Sequence, residues 1–300
     1  MIVGILLALA VGAIPWTGIG AIYGLVAARK INVYNFNAAV YGICALAAAP
    51  LVHWQSLLTV GDAGRIPELV LVISLSGILD ALGMILIIKQ MEAGSTAIPW
   101  TLAQMAMVWP FLFGVIFGGD RPMWLAWGGI IAMLACVAML GRSQRAHDDA
   151  TCQSGIRFLK PFAGFVVIGL AQTLSTIPSY WKGWEDTANL RTFLSVACPA
   201  VVLIGLCACR RIRLTRQTLG YGALGALATL AGFIGLYAAL DLLGRQGLAS
   251  VSYPLAVGAC VVGVVGYSLT QGERLDRLKI IGMALGLIGL ACVAFGSAFP

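Results

Sequence analysis

The chain predicts an all-α membrane protein of ten transmembrane helices, built as two inverted five-helix repeats. Three observations predict it. Of 300 residues, 60% are hydrophobic and only 10% are charged, with a mean hydropathy of +0.94. A soluble domain of this length has no use for so much apolar surface. Apolar runs of about 20 residues, the length that crosses a bilayer, recur along the whole chain. Finally, the same landmarks appear in the same order in the two halves.

The runs fall at 2–27, 34–53, 67–89, 95–118 and 123–141, then at 160–181, 191–209, 218–243, 247–270 and 278–298. Short polar joints such as "ARKIN", "KQMEAGS" and "QGERLDR" separate them. The longest joint divides the chain into a first repeat (1–141), a cytoplasmic linker (142–159) and a second repeat (160–300). The net charge of +7 is no nucleic-acid footprint, because the basic residues form small clusters beside the apolar runs. Fourteen of the 19 Lys and Arg residues lie in the odd-numbered joints. The positive-inside rule then places those joints in the cytoplasm and both termini outside, in a multi-pass protein of the plasma (inner) membrane. The N-terminal run lacks a basic flank and is too long for a signal peptide, so it reads as a retained first helix. Seven of the eight cysteines lie within apolar runs, at spacings that suit helix packing rather than disulfides or metal.

Placing Pro99 over Pro254 puts Gly77 on Gly232 and Ser95 on Ser250. The fourth and ninth helices both open on small and hydroxyl residues, and both carry an early proline. They end on Gly119-Asp120-Arg121 and Gly272-Glu273-Arg274. The fifth and tenth share "LACVA" at 134–138 and 290–294. Five helices per copy is an odd number, so the copies insert with opposite orientation, the architecture of many secondary transporters.

On these residues the chain resembles the drug/metabolite transporter superfamily, with its EamA-like and glucose/rhamnose-porter-like carriers. The likeness is strongest over 77–141 and 232–296, where "SYPLAVGACVVGVVGYSLTQGERL" leads into a glycine-rich last helix. It implies a ten-helix carrier made of two inverted repeats. The basic joint follows the first helix rather than the second, which is nearer the uptake porters than the exporter branch. The implied activity is transport of a small polar metabolite, sugar-like or amino-acid-like, by alternating access. Export by the same fold is the alternative.

The chemistry must lie inside the bundle, since little chain remains for a soluble domain. Interior prolines at 15, 99, 110, 178, 199 and 254 free backbone carbonyls, tolerable in a membrane only beside protein or a water-filled cavity. Several are followed by aromatics and hydroxyls. Trp16, Thr17, Trp100, Gln104, Gln172, Tyr180 and Tyr253 are the substrate-site candidates. The bland reading makes the same groups interfacial anchors or interhelical hydrogen bonds. Tyr23 reads as an anchor, Asn37 and Thr173 as packing polar groups. Gly282, Gly286 and Gly289 let helices approach closely. Asp241 pairs with Arg245 one turn on, as a rim ion pair.

Asp80 stands apart: a carboxylate near the middle of "ELVLVISLSGILDALGMILIIK", with no basic residue deep in its span. An intramembrane acid is a functional candidate by default. In a wet cavity it takes up and releases protons, or holds a cationic or hydroxyl-bearing substrate. The competing reading is a protonated contact to a neighbouring helix. No nucleophile–base set, paired carboxylates or His/Cys/Glu cluster is seen, which sets aside an integral membrane enzyme. The expected partners are a small-molecule substrate, the lipid bilayer and protons, with no cofactor, no metal and no nucleic acid. The chain is expected to be a monomer or weak homodimer.

Overall fold

The computed structural model describes residues 1–52, 54, 65–92, 103–148, 156–182, 184, 187–211, 215–270 and 277–298. Among them every regular element is helical. In chain order these are α1 (Ile2–Ala28), α2 (Val33–Ala48), α3 (Ile66–Glu92), α4 (Ala103–Gly118), α5 (Trp124–Asp148) and α6 (Ile156–Thr176). The rest are α7 (Ala188–Cys209), α8 (Arg216–Gly244), α9 (Ser252–Thr270) and α10 (Arg277–Ala298). Five helices are long and apolar enough to cross a membrane: α1, α3, α7, α8 and the stretch Phe162–Tyr180. Shorter apolar helices occupy α4, α5, α9 and α10. Leu46, Phe117, Trp124, Val201 and Leu227 point outward and exposed, an arrangement that fits lipid rather than water. The segment expected to link the halves is partly helical, since α5 runs on to Asp148 and α6 begins at Ile156. Nothing in "GRSQRAHD" breaks a helix, so the fold continues past the apolar run.

The prolines act where they fall. Pro15 lies inside a π-helical turn, Gly12–Trp16, which interrupts α1. The Gly12 carbonyl accepts both the backbone amide and the hydroxyl of Thr17 (3.0 Å to the hydroxyl), which braces the turn. In α4 a π turn, Gly114–Gly118, is closed by Gly119 at φ +76°, a conformation that costs glycine little. At Pro178, α6 gives way to a 3₁₀ turn, Ile177–Tyr180. Another 3₁₀ turn, Ala249–Val251, precedes α9, so Pro254 sits in a first turn where no donor is needed. The Asn32 side chain caps α2, accepting from the amides of Tyr34 and Asn35 (both 3.1 Å).

Helices of the two halves interleave. The main cross-half packings are α5 on α10, α3 on α6 and α7, α2 on α7 and α8, α1 on α8 and α9, and α4 on α6. Small residues set the closest approaches. A Cβ on Gly129 would lie 2.6 Å from the Gly289 carbonyl oxygen, and one on Gly289 2.7 Å from that of Gly129. Backbone therefore meets backbone where α5 crosses α10.

Two apolar clusters fill the interior. One, around Val26, Phe36, Cys44, Ile88 and Leu203, lies toward the end that carries Arg29, Lys89 and Arg210. Those cations lie over Tyr221 (5.2 Å) and Tyr34 (4.4 and 5.5 Å). The other, around Leu69, Phe111, Trp184, Leu240 and Val251, fills the opposite end. Trp16 and Phe233 pack against both.

Candidate functional site

A cavity of about 820 Å³, its mouth included, lies between the two clusters. Helices of both halves wall it. From α1 come Trp16 and Tyr23, from α2 Tyr41, from α3 Ser76, Asp80 and Met84, and from α4 Gln104. Gln172 and Ser175 come from α6, Thr229 and Phe233 from α8, and Tyr253 from α9.

Asp80 is half-buried at the cavity wall. The Tyr41 hydroxyl donates to its Oδ2 (2.8 Å), which fixes the carboxyl against α2 while leaving Oδ1 for something else. No Lys, Arg or His is among the lining residues. Across the cavity the Ser175 hydroxyl donates to the Gln172 carbonyl (2.7 Å). The Tyr253 hydroxyl is then the donor in its contact with Ser175 (2.5 Å). Ser76 donates to the Ala171 carbonyl (2.7 Å) and ties α3 to α6. Trp16 and Tyr253 tilt toward each other, ring centres 6.0 Å apart. Gln172 Oε1 and Thr229 Oγ1 are buried and have no hydrogen-bond partner among the described residues, a costly condition that a polar ligand or water would relieve.

Five candidates from the sequence thus meet here: Trp16, Asp80, Gln104, Gln172 and Tyr253. Two do not. Thr17 is half-buried against α9, its hydroxyl within reach of the Cys260 carbonyl (3.4 Å) as well as Gly12. It braces the turn against α9 and is not among the residues that line the cavity. Tyr180 lies at the far end of the bundle, on Gly114 and Gly118, and donates to Asp120 Oδ2 (3.0 Å). Trp100 lies outside the described residues, as do Pro99 and Gly272-Glu273-Arg274. Asn37 and Thr173 bond carbonyls one turn back, at Val33 (2.8 Å) and Gly169 (2.8 Å), so they belong to packing.

Sequence reasoning missed Tyr41, Ser76, Ser175, Thr229 and Phe233, and took Tyr23 for an interfacial anchor although it is buried. Tyr41 had one usable signal. It lies deep in an apolar run, where a phenol needs a partner, and Asp80 is the deep acid available to it.

The expected rim pair at Asp241 is corrected as well. Asp241 is buried and its carboxylate takes the guanidinium of Arg191, itself 0% exposed. Arg191 also donates to Ser179 Oγ (2.8 Å) and the Tyr237 carbonyl (3.3 Å), and stacks on the Tyr237 ring (4.8 Å). Helix spacing pointed only to the neighbour four residues on, and a buried guanidinium from α7 was not readable from it. Beside this pair Asp120 Oδ2 accepts the Ser250 amide (2.7 Å) as well as Tyr180. The turn at 177–180 joins both knots, so α4, α6, α7, α8 and α9 are tied at the end opposite the basic one.

No family model matches the chain, and no curated protein matches it. A solved structure described only as "Crystal structure of protein" shares the fold: TM-score 0.67 at 15% identity, over 95% of this chain and 97% of that one.

Proposed function

We propose that the protein is a secondary transporter that moves a small polar solute across the plasma membrane by alternating access. The observation that carries this reading is the cavity. It is mid-bundle, walled by both halves of the chain, holds one carboxylate, and is bounded by an apolar cluster on either side. A carrier needs a solute site between two barriers that open in turn.

The packing supports ten spans in two inverted repeats. Exchanging each helix with the one five places away turns the contact of α1 with α8 into that of α6 with α3. It turns α1 with α9 into α6 with α4, and α2 with α8 into α7 with α3. The pairs α5 with α10 and α2 with α7 map onto themselves. Together with the ordered landmarks, this favours membership of the drug/metabolite transporter superfamily. The Arg29, Lys89 and Arg210 end is then cytoplasmic and both termini are outside. The opposite end, closed by the Arg191–Asp241 and Asp120–Tyr180 knots, is the barrier that must open for the other half of the cycle. Among the described lining residues there is one carboxylate and no histidine, cysteine or second acid, which favours transport over membrane-embedded catalysis. Asp80, reachable by water, is the group to carry a coupling proton.

The test is a proteoliposome screen of labelled sugars, amino acids and amines, run with and without an imposed pH gradient. Saturable uptake with counterflow of unlabelled solute is the expected result. Flux that never saturates would indicate a pore, and turnover of a solute into product would indicate an enzyme.

A further inference from the structure

We infer that the cavity takes a small monocationic amine with an apolar body, its ammonium on Asp80 and its body against the surrounding rings. The inference rests on the reading of the cavity as the solute site and adds the class of solute.

Charge decides first. Asp80 is the only carboxylate among the described lining residues, and no Lys, Arg or His is among them. The nearby guanidinium, Arg191, is already engaged by Asp241, Ser179 and Tyr237. An anion would therefore meet a carboxylate with nothing to offset it. A zwitterion would leave its own carboxylate without a cation. A sugar could hydrogen-bond Asp80, but it would leave the negative charge of a low-dielectric site unneutralised. An ammonium neutralises it and donates to the free Oδ1, since Tyr41 holds Oδ2.

The rest of the wall fits the same ligand. Trp16, Tyr23, Tyr41, Phe233 and Tyr253 supply ring faces that attract a cation and pack an apolar body. An ammonium has three donors. Gln172, whose Oε1 is buried without a partner among the described residues, lines the same cavity, and a turn of its amide would offer an acceptor for a second of them. The Tyr253 and Ser175 hydroxyls are already spent on each other and on the Gln172 carbonyl.

The experiment uses the purified full-length protein in lipid nanodiscs and isothermal titration with three probes of one shape: phenethylammonium, neutral 2-phenylethanol and anionic 3-phenylpropionate. A charge-assisted hydrogen bond predicts that the ammonium binds about 10- to 100-fold tighter than the alcohol, with no measurable binding of the anion. Asp80→Asn should bring the ammonium down to the level of the alcohol, and Asp80→Glu should restore part of the difference. If the alcohol binds as tightly as the ammonium, or if Asp80→Asn leaves the ammonium unchanged, the inference is wrong. The comparison of probes on the parent protein decides even if Asp80→Asn does not fold. A vesicle assay with labelled phenethyltrimethylammonium, which does not leak as a free base, separates the two claims. Binding without saturable flux of any solute would sink transport and leave the amine site standing. Saturable flux of another solute, untouched by either ammonium probe, would sink the amine class and leave transport standing.

Discussion

The Tyr41 hydroxyl, 2.8 Å from Asp80, explains how a carboxylate persists inside an apolar bundle. One oxygen is held by a phenol and the other opens on a cavity large enough for water. Asp80 was legible in the sequence because one acid in a long apolar run has no structural need there. Tyr41 was not, because a tyrosine within such a run reads as one more hydrophobic side chain. Two outcomes follow at this scale. Asp80→Asn should abolish gradient-driven accumulation in vesicles, while exchange survives at about 10- to 100-fold higher amine concentration, the worth of one charge-assisted bond. Accumulation equal to the parent would make Asp80 a protonated helix contact. Tyr41→Phe should cost about 1 kcal/mol of stability, seen as a lower unfolding temperature in detergent, while keeping the preference for the charged probe. If that preference disappears, the phenol is itself a ligand.

Among the elements, the helices were readable from run length alone, and their irregular turns were not. The 3₁₀ turn at 177–180 draws Ser179 and Tyr180 out of α6 and into the knots at the closed end. That is why Tyr180, grouped with the cavity residues by its proline, is elsewhere. Thr17 is elsewhere for a related reason: beside the π turn at Gly12–Trp16 its hydroxyl turns to the Gly12 carbonyl. The adjacent glycines of α5 offer a paired test of element packing. Gly129 meets the backbone of α10, whereas nothing lies within 4 Å of a Cβ on Gly128. Gly128→Ala should raise stability by about 0.5–1 kcal/mol through helix propensity. Gly129→Leu should lower it by about 1–3 kcal/mol or more by forcing α5 and α10 apart. Thermal unfolding of both variants in detergent checks the difference in sign, and equal effects would mean that α5 and α10 do not cross there.

Across the whole molecule, the ordered landmarks are the sequence signal for the proposed repeat, and helices of the two halves interleave. The closed end was invisible because its partners are far apart in sequence: Arg191 with Asp241, Asp120 with Ser250. Removing one member of a buried ion pair strands the other charge. Asp241→Asn should therefore destabilise the closed form by about 3–5 kcal/mol, enough to unfasten α7 from α8 at that end. The most direct test of a carrier built around one central site is the reactivity of Gln172→Cys, in a background without native cysteines, toward a membrane-impermeant thiol reagent added to either face of sealed vesicles. A carrier open toward Arg29, Lys89 and Arg210 should react from that face and not from the other. The account also predicts protection by phenethylammonium, and a switch to reaction from the opposite face when Asp241→Asn is added. Reaction from neither face, or from both at once in the parent, would contradict it.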